Sequence, residues 1–190
     1  MHRAVLALSR ALAIAGGAML AALVLMTCLS IAGREINAAL QSDALRGSWL
    51  TDLVVGRLGV GELRGQFELL EAGIAFCIFA FMPYAQATAG HATVDLLAER
   101  LPIPVRRWLA AIAEVAFAAV LILIALQLWS GMESKRLSGQ TSLRLGFPVW
   151  WGYALSVPPA FAAALVGVHM AAMRLLEAAT GRARLPEDAA

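Results

Sequence analysis

The chain has 190 residues, of which 61% are hydrophobic and 15% charged, with a formal net charge of +2. Ordinary soluble domains run at roughly 45–50% apolar and about 25% charged, so both departures point to a membrane and away from most soluble enzyme classes. So small a net charge, with no basic stripe, excludes a nucleic-acid partner.

Four stretches carry no charged residue: 11–33, 72–90, 115–132 and 145–173. A hydrocarbon core about 30 Å thick takes roughly 20 apolar helical residues to cross, so the pattern predicts an all-α integral membrane protein of one domain, a bundle of four transmembrane helices. The first span is expected over 11–31, closed by Arg34 and Glu35. Its apolar run of about 23 residues exceeds the 7–15 of a cleaved signal segment, so it reads as a retained span. Gly16, Gly17, Ala18, Ala21 and Ala22 in it would permit close helix approach.

In the connection that follows, Leu45, Trp49 and Leu53 recur every four residues with Leu50 and Val54 beside them. That periodicity predicts an amphipathic interfacial helix over 42–57, too short and too charged to span. Gly56, Gly59, Gly61 and Gly65 end it. The second span is expected over 67–89 with Pro83 inside, followed by a short helix over 94–101 that Pro102 and Pro104 terminate. The third span is placed over 105–131 and the fourth over 148–173, bent by Pro158 and Pro159, with a short polar connection from Glu133 to Leu145 and a frayed tail from Glu177. With both termini cytoplasmic, the inside segments hold eight arginines against seven basic residues outside, and Arg100, Arg106 and Arg107 form the strongest local cluster.

Ionisable groups at membrane depth are few. Glu68 and Glu71 stand one turn apart at the entry to the second span. Glu114 lies about two turns into the third and His169 near the end of the fourth, at similar depth, so a hydrogen bond or ion pair between them would satisfy both. Gln86 and Gln127 can hydrogen-bond between helices. Trp150 and Trp151 suit the headgroup layer, and Arg106 and Arg107 suit anionic lipid headgroups or a partner. Cys28 and Cys77 read as small buried apolar residues, without metal-ligand spacing. No HExxH motif, phosphate-binding glycine loop or inverted repeat is present, so neither a catalytic site nor a stand-alone transport path is expected. His91 and His169 leave open an alternative, a haem-bearing or regulatory tetraspan anchor, although a second histidine pair is missing.

The segment TAGHATVDLLAERLP, with Gly90, His91, Val94, Asp95, Leu96, Leu97 and Pro102, resembles the end of span two in the DctQ-type small membrane subunit of tripartite ATP-independent periplasmic (TRAP) transporters. The segment GQTSLRLGFPVWWGYALSVPP resembles the same family's approach to span four at Gly139, Ser142, Gly146, Pro148, Trp150, Trp151, Tyr153 and Pro158. Glu68 and Glu71 are similar to its acidic positions. The likeness covers about 67–176, and the connection after span one is longer than in many members. It implies a non-catalytic subunit without cofactor or metal, in the bacterial inner membrane. There it would pack against a large permease of the DctM type that carries the substrate and sodium sites. A DctP-type periplasmic protein would deliver an organic acid, and Glu68 and Glu71 would face its docking side.

Overall fold

The computed structural model describes residues 2–40, 65–88 and 102–180. The expected interfacial helix over 42–57 and the short helix over 94–101 lie outside these residues. Four helices make up almost all of the described chain: α1 (His2–Leu40), α2 (Gln66–Ala87), α3 (Ile103–Ser138) and α4 (Trp150–Thr180). Each is long and apolar enough to cross a membrane. The only β pairing among the described residues is an isolated bridge between Thr141 and Pro148.

Three of the helices outrun their expected spans. α1 continues for 39 residues, about 58 Å at 1.5 Å per residue. The Arg34–Glu35 pair does not end it: no proline or helix-stopping turn follows, and the two side chains form an exposed ion pair of 3.6 Å on its surface. α3 passes through Gly131, where the expected span stopped, and that glycine leaves room for a neighbour. A Cβ there would come within 3.1 Å of the Tyr153 ring. The helix ends instead at Gly139, whose left-handed φ of 61° lets its N–H reach the Arg136 carbonyl. Glu133 and Arg136, expected in a connection, pair at 3.0 Å one turn apart on the final helical turns. α4 carries on past Met173 to Thr180, and Glu177, expected in a frayed tail, is buried and bonded by Arg174 Nη1 at 3.3 Å.

The contacts fix the direction of every helix. Gly16 of α1 lies against Ala80 of α2, and Leu23 against Gly73, so α1 and α2 are antiparallel. Gly152 of α4 meets Ala72 while Val166 and Met170 pack with Ala87, so α2 and α4 run parallel. Tyr153 meets Gly131 and Gly167 meets Ala118, so α3 and α4 are antiparallel. The start of α1 and the end of α4 therefore share one side: Val5 and Leu6 pack with Met170 and Met173 around one cluster.

Packing runs in the order α1, α2, α4, α3, with α1 only grazing α4. In α4, 56% of the most apolar window is buried, against 11% in α1, which makes α4 the inner helix and α1 the outrigger. Lipid tails are as apolar as leucine, so helices associate here through close contact rather than escape from water. Small residues provide that contact along the α3–α4 seam, where Ala125, Ala160, Ala163 and Ala164 surround Leu121, with Phe79 and Met82 of α2 packed against them. In α1 the small residues divide. Gly16 is buried and its carbonyl accepts a bond from the Cys77 thiol at 3.4 Å, whereas Gly17, Ala18, Ala21 and Ala22 are exposed. Cys77 is buried as expected; Cys28 is exposed, on a face of α1 that α2 does not cover.

A Cβ at Gly16 would stand 3.0 Å from that of Ala80, and one at Gly17 would meet nothing within 4 Å. Gly16→Leu is therefore expected to destabilise the α1–α2 pair by about 1–3 kcal/mol, and Gly17→Leu to leave it unchanged. Unfolding by denaturing detergent from mild-detergent micelles reads both.

Candidate functional site

The polar machinery of the described chain concentrates at the end of the bundle where α2 begins and α3 passes into α4. Beyond Gly139 the chain folds into a small hairpin. Val149 N–H donates to the Gln140 carbonyl at 3.0 Å, Ser142 N–H to Phe147 at 2.8 Å and Gly146 N–H to Ser142 at 3.1 Å. Gly146 has φ 68°, a left-handed turn conformation that a side chain would strain. Lys135 Nζ secures the near strand through Gln140 Oε1 at 2.8 Å. Pro148 and Val149 then accept the first N–H groups of α4 from Trp151 and Gly152. Donors that α4 could not satisfy within itself are thus met by the hairpin.

This hairpin is fastened to α2 by one carboxylate. Glu68 Oε2 accepts from the Ser142 hydroxyl at 2.7 Å and from Leu145 N–H at 3.1 Å, and Oε1 accepts from Arg144 N–H at 2.9 Å. Two backbone donors at the hairpin tip are met together by a single side chain. Glu68 also lies in the first turn of α2, where a negative charge is favoured by the helix dipole. Gly65 completes the clasp. Its φ of 76° suits glycine, and the space where a Cβ would sit is filled by the Leu145 side chain.

The acidic entry to span two and the segment ahead of span four, separate in sequence, are therefore one structural unit. Glu68 spends its acceptors inside the chain, and Glu71, exposed one turn on, is the carboxylate that faces outward. Gly65 was read only as a helix breaker. Its pairing with Leu145 had no signal in the sequence beyond a glycine placed three residues before an acid. Trp150 and Trp151 sit at the same end, their rings edge to face with centroids 6.1 Å apart, and Trp151 is exposed. Beneath the hairpin, α2, α3 and α4 enclose a partly open cavity of about 260 Å³.

The other sequence-selected residues lie elsewhere. Pro102 precedes α3 and its carbonyl accepts the N–H groups of Val105 and Arg106, which places Arg106 and Arg107 at the end of the bundle opposite the hairpin. Pro158 is exposed and Pro159 buried, both inside a continuous α4. Ser156 bonds the Gly152 carbonyl at 3.2 Å in the same stretch. Gly90, His91 and Asp95 lie outside the described residues. Glu114 receives a bond of 2.6 Å from Gln86 Nε2, so one of the two glutamines expected to join helices does so; Gln127 is exposed. His169 stands at a similar level on α4, since Gly167 meets Ala118 one turn from Glu114. Its pairing with Glu114 remains a proposal. Among the described residues, no group of three or more His, Cys, Asp or Glu is placed to hold a metal ion.

Four spans alternating in direction, knit by small-residue seams and capped at one end by a clasped hairpin, define a multi-pass helical membrane protein. Residues 51–181 match the family model of the DctQ component of tripartite ATP-independent periplasmic transporters, and the chain belongs to that family. It is thus a component of a TRAP transporter, and α1 lies ahead of the matched stretch. No curated protein and no solved structure matches the chain.

Two substitutions probe the site. Glu68→Gln keeps the shape but weakens acceptance from two backbone amides, so the Arg144 and Leu145 N–H groups should exchange with solvent faster while those of mid-α4 do not change; hydrogen–deuterium exchange reads this directly. Gln86→Leu strips Glu114 of a partner between α2 and α3 and is expected to cost about 0.6 kcal/mol and at most about 1.7, the mean and maximum of interhelical hydrogen bonds measured in a membrane protein. A double-mutant cycle of Gln86→Leu with Glu114→Leu checks it through the coupling energy.

Proposed function

We propose that this chain is the non-catalytic small subunit of the transporter, a membrane-fixed flank against which a large permease of the DctM type packs. On this reading the large subunit performs sodium-coupled uptake of an organic acid delivered by a DctP-type periplasmic protein. The observation that carries it is the distribution of charge. Between Arg10 and Arg34 in α1, after Glu71 in α2, and from Trp150 to His169 in α4, no charged side chain occurs. Of the two carboxylates in α3, Glu133 pairs with Arg136 on the final turns, and the deeper one, Glu114, is bonded to Gln86. A path for an anion and its coupling ions needs polar groups free to bind and release them. These spans hold almost none.

What they do hold is apolar outer surface. On α1, Ile14, Leu25 and Leu29 are more than 60% exposed, and on α3 Leu109, Ile112 and Leu123 are more than half exposed. Those faces suit a protein partner or lipid, with Arg106 and Arg107 at anionic headgroups and Trp150 and Trp151 anchoring the other side. With both termini cytoplasmic in the bacterial inner membrane, the hairpin and Glu71 face the periplasm, where a loaded binding protein arrives. Glu71 rather than Glu68 then offers the docking charge, because Glu68 is held by the hairpin.

Vesicles holding the large permease, with and without this chain, test the proposal. Sodium-dependent uptake driven by the loaded binding protein is expected only when both membrane chains are present and copurify. Full uptake by the large subunit alone would contradict it.

A further inference from the structure

The cavity beneath the hairpin shares only Glu71 with the reading above, and its chemistry points to a ligand. Glu71, Ser142 and Phe147 line it at the hairpin end; Ala75, Leu128 and Ser156 line it further in. Ala75 lies one turn past Glu71, and Ser156 about 9 Å along α4 from Trp150 at 1.5 Å per residue. The tryptophan pair sets the hairpin end at the headgroup layer, so the cavity reaches from there into the hydrocarbon zone.

Three features narrow what would enter. First, a carboxylate and two aromatic rings, Glu71, Phe147 and Tyr153, share the cavity, a set that favours an ammonium group through charge and the ring faces. Second, Glu68 also borders it, but both its oxygens are bonded to the hairpin, which leaves cation recognition to Glu71. Third, at about 260 Å³ the space falls below the roughly 300–1,000 Å³ that enclose a whole small-molecule ligand. It fits part of a molecule whose remainder stays in the bilayer.

The geometry points to a lipid site: the cavity takes the head region of a phospholipid bearing a primary ammonium, an ethanolamine lipid, with Glu71 accepting from the ammonium and the acyl chains running out past the apolar walls. This site is independent of whether the chain serves a large permease.

Native mass spectrometry of the full chain in detergent micelles tests it, with ethanolamine, choline and glycerol phospholipids of matched acyl chains titrated separately. The wild-type protein is expected to retain the ethanolamine lipid at least about tenfold more than the choline lipid, as one net charge-assisted hydrogen bond would give, and the anionic glycerol lipid least. Glu71→Gln should abolish that preference. Ala75→Phe, which fills the inner cavity, should lower retention of the ethanolamine lipid while leaving the helical circular dichroism intact. Equal retention of the three lipids by the wild-type protein, or an ethanolamine preference that survives Glu71→Gln, overturns the assignment. Should Ala75→Phe fail to fold, Glu71→Gln decides alone, since that carboxylate is exposed and bears no part of the packing.

Discussion

The structure turns on a constraint that bilayers impose on any chain leaving and re-entering them: backbone donors near the hydrocarbon must be satisfied within the protein. The α3–α4 connection, from Gly139 to Val149, folds into a hairpin whose tip amides at Arg144 and Leu145 reach an acceptor on another helix. Glu68 is that acceptor, taking two backbone amides and a hydroxyl on one carboxylate. The parallel alignment of α2 with α4 follows naturally, because the start of α2 must stand beside the start of α4 for the bond to form. Gly65 and Leu145 then close the joint by shape, the leucine occupying space that only a glycine leaves open.

From that joint inward, specificity passes to packing. The α3–α4 seam is built from alanines, and the α1–α2 contact from Gly16, Ala80 and Gly73. Deeper still, the Gln86–Glu114 bond ties α2 to α3, two helices that otherwise meet little, and so holds the far side of α4 in register. The chain is fastened by polar contacts at two levels and by close apolar contact between them. Its buried Gln86 and Glu177 both bond to other side chains of the protein. An arrangement of that kind favours a fixed body over a moving carrier, and it accords with membership in a family of transporter subunits.

Much of this was legible in the sequence, because bilayer thickness translates directly into a count of uncharged residues. All four spans, their alternation and the shared side of the two ends of the bundle follow from that count. The helix limits were less legible. Arg34 and Glu35 look like a stop, yet an i,i+1 charge pair on a helix surface costs little and does not break it. Gly131 looks like an end, yet its role is to admit Tyr153 from α4. Glu68 and Ser142 were each visible as positions resembling the family. That they bond each other was not, since 74 residues separate them and no periodicity encodes a contact of that range. The same holds for Glu114, whose partner Gln86 was recognised as a helix-joining residue without any signal of what it joins.

The central claim is that α2, α3 and α4 form one rigid body. Distance measurement by electron–electron double resonance tests this most directly. Spin labels at Phe67, beside the clasp, and at Leu109, toward the other end of α3, would report on the chain assembled with the large subunit in a bilayer. A single narrow distance distribution that is the same without sodium, with sodium, and with sodium and loaded binding protein is the predicted result. A second distance population that appears or grows under transport conditions would contradict the account.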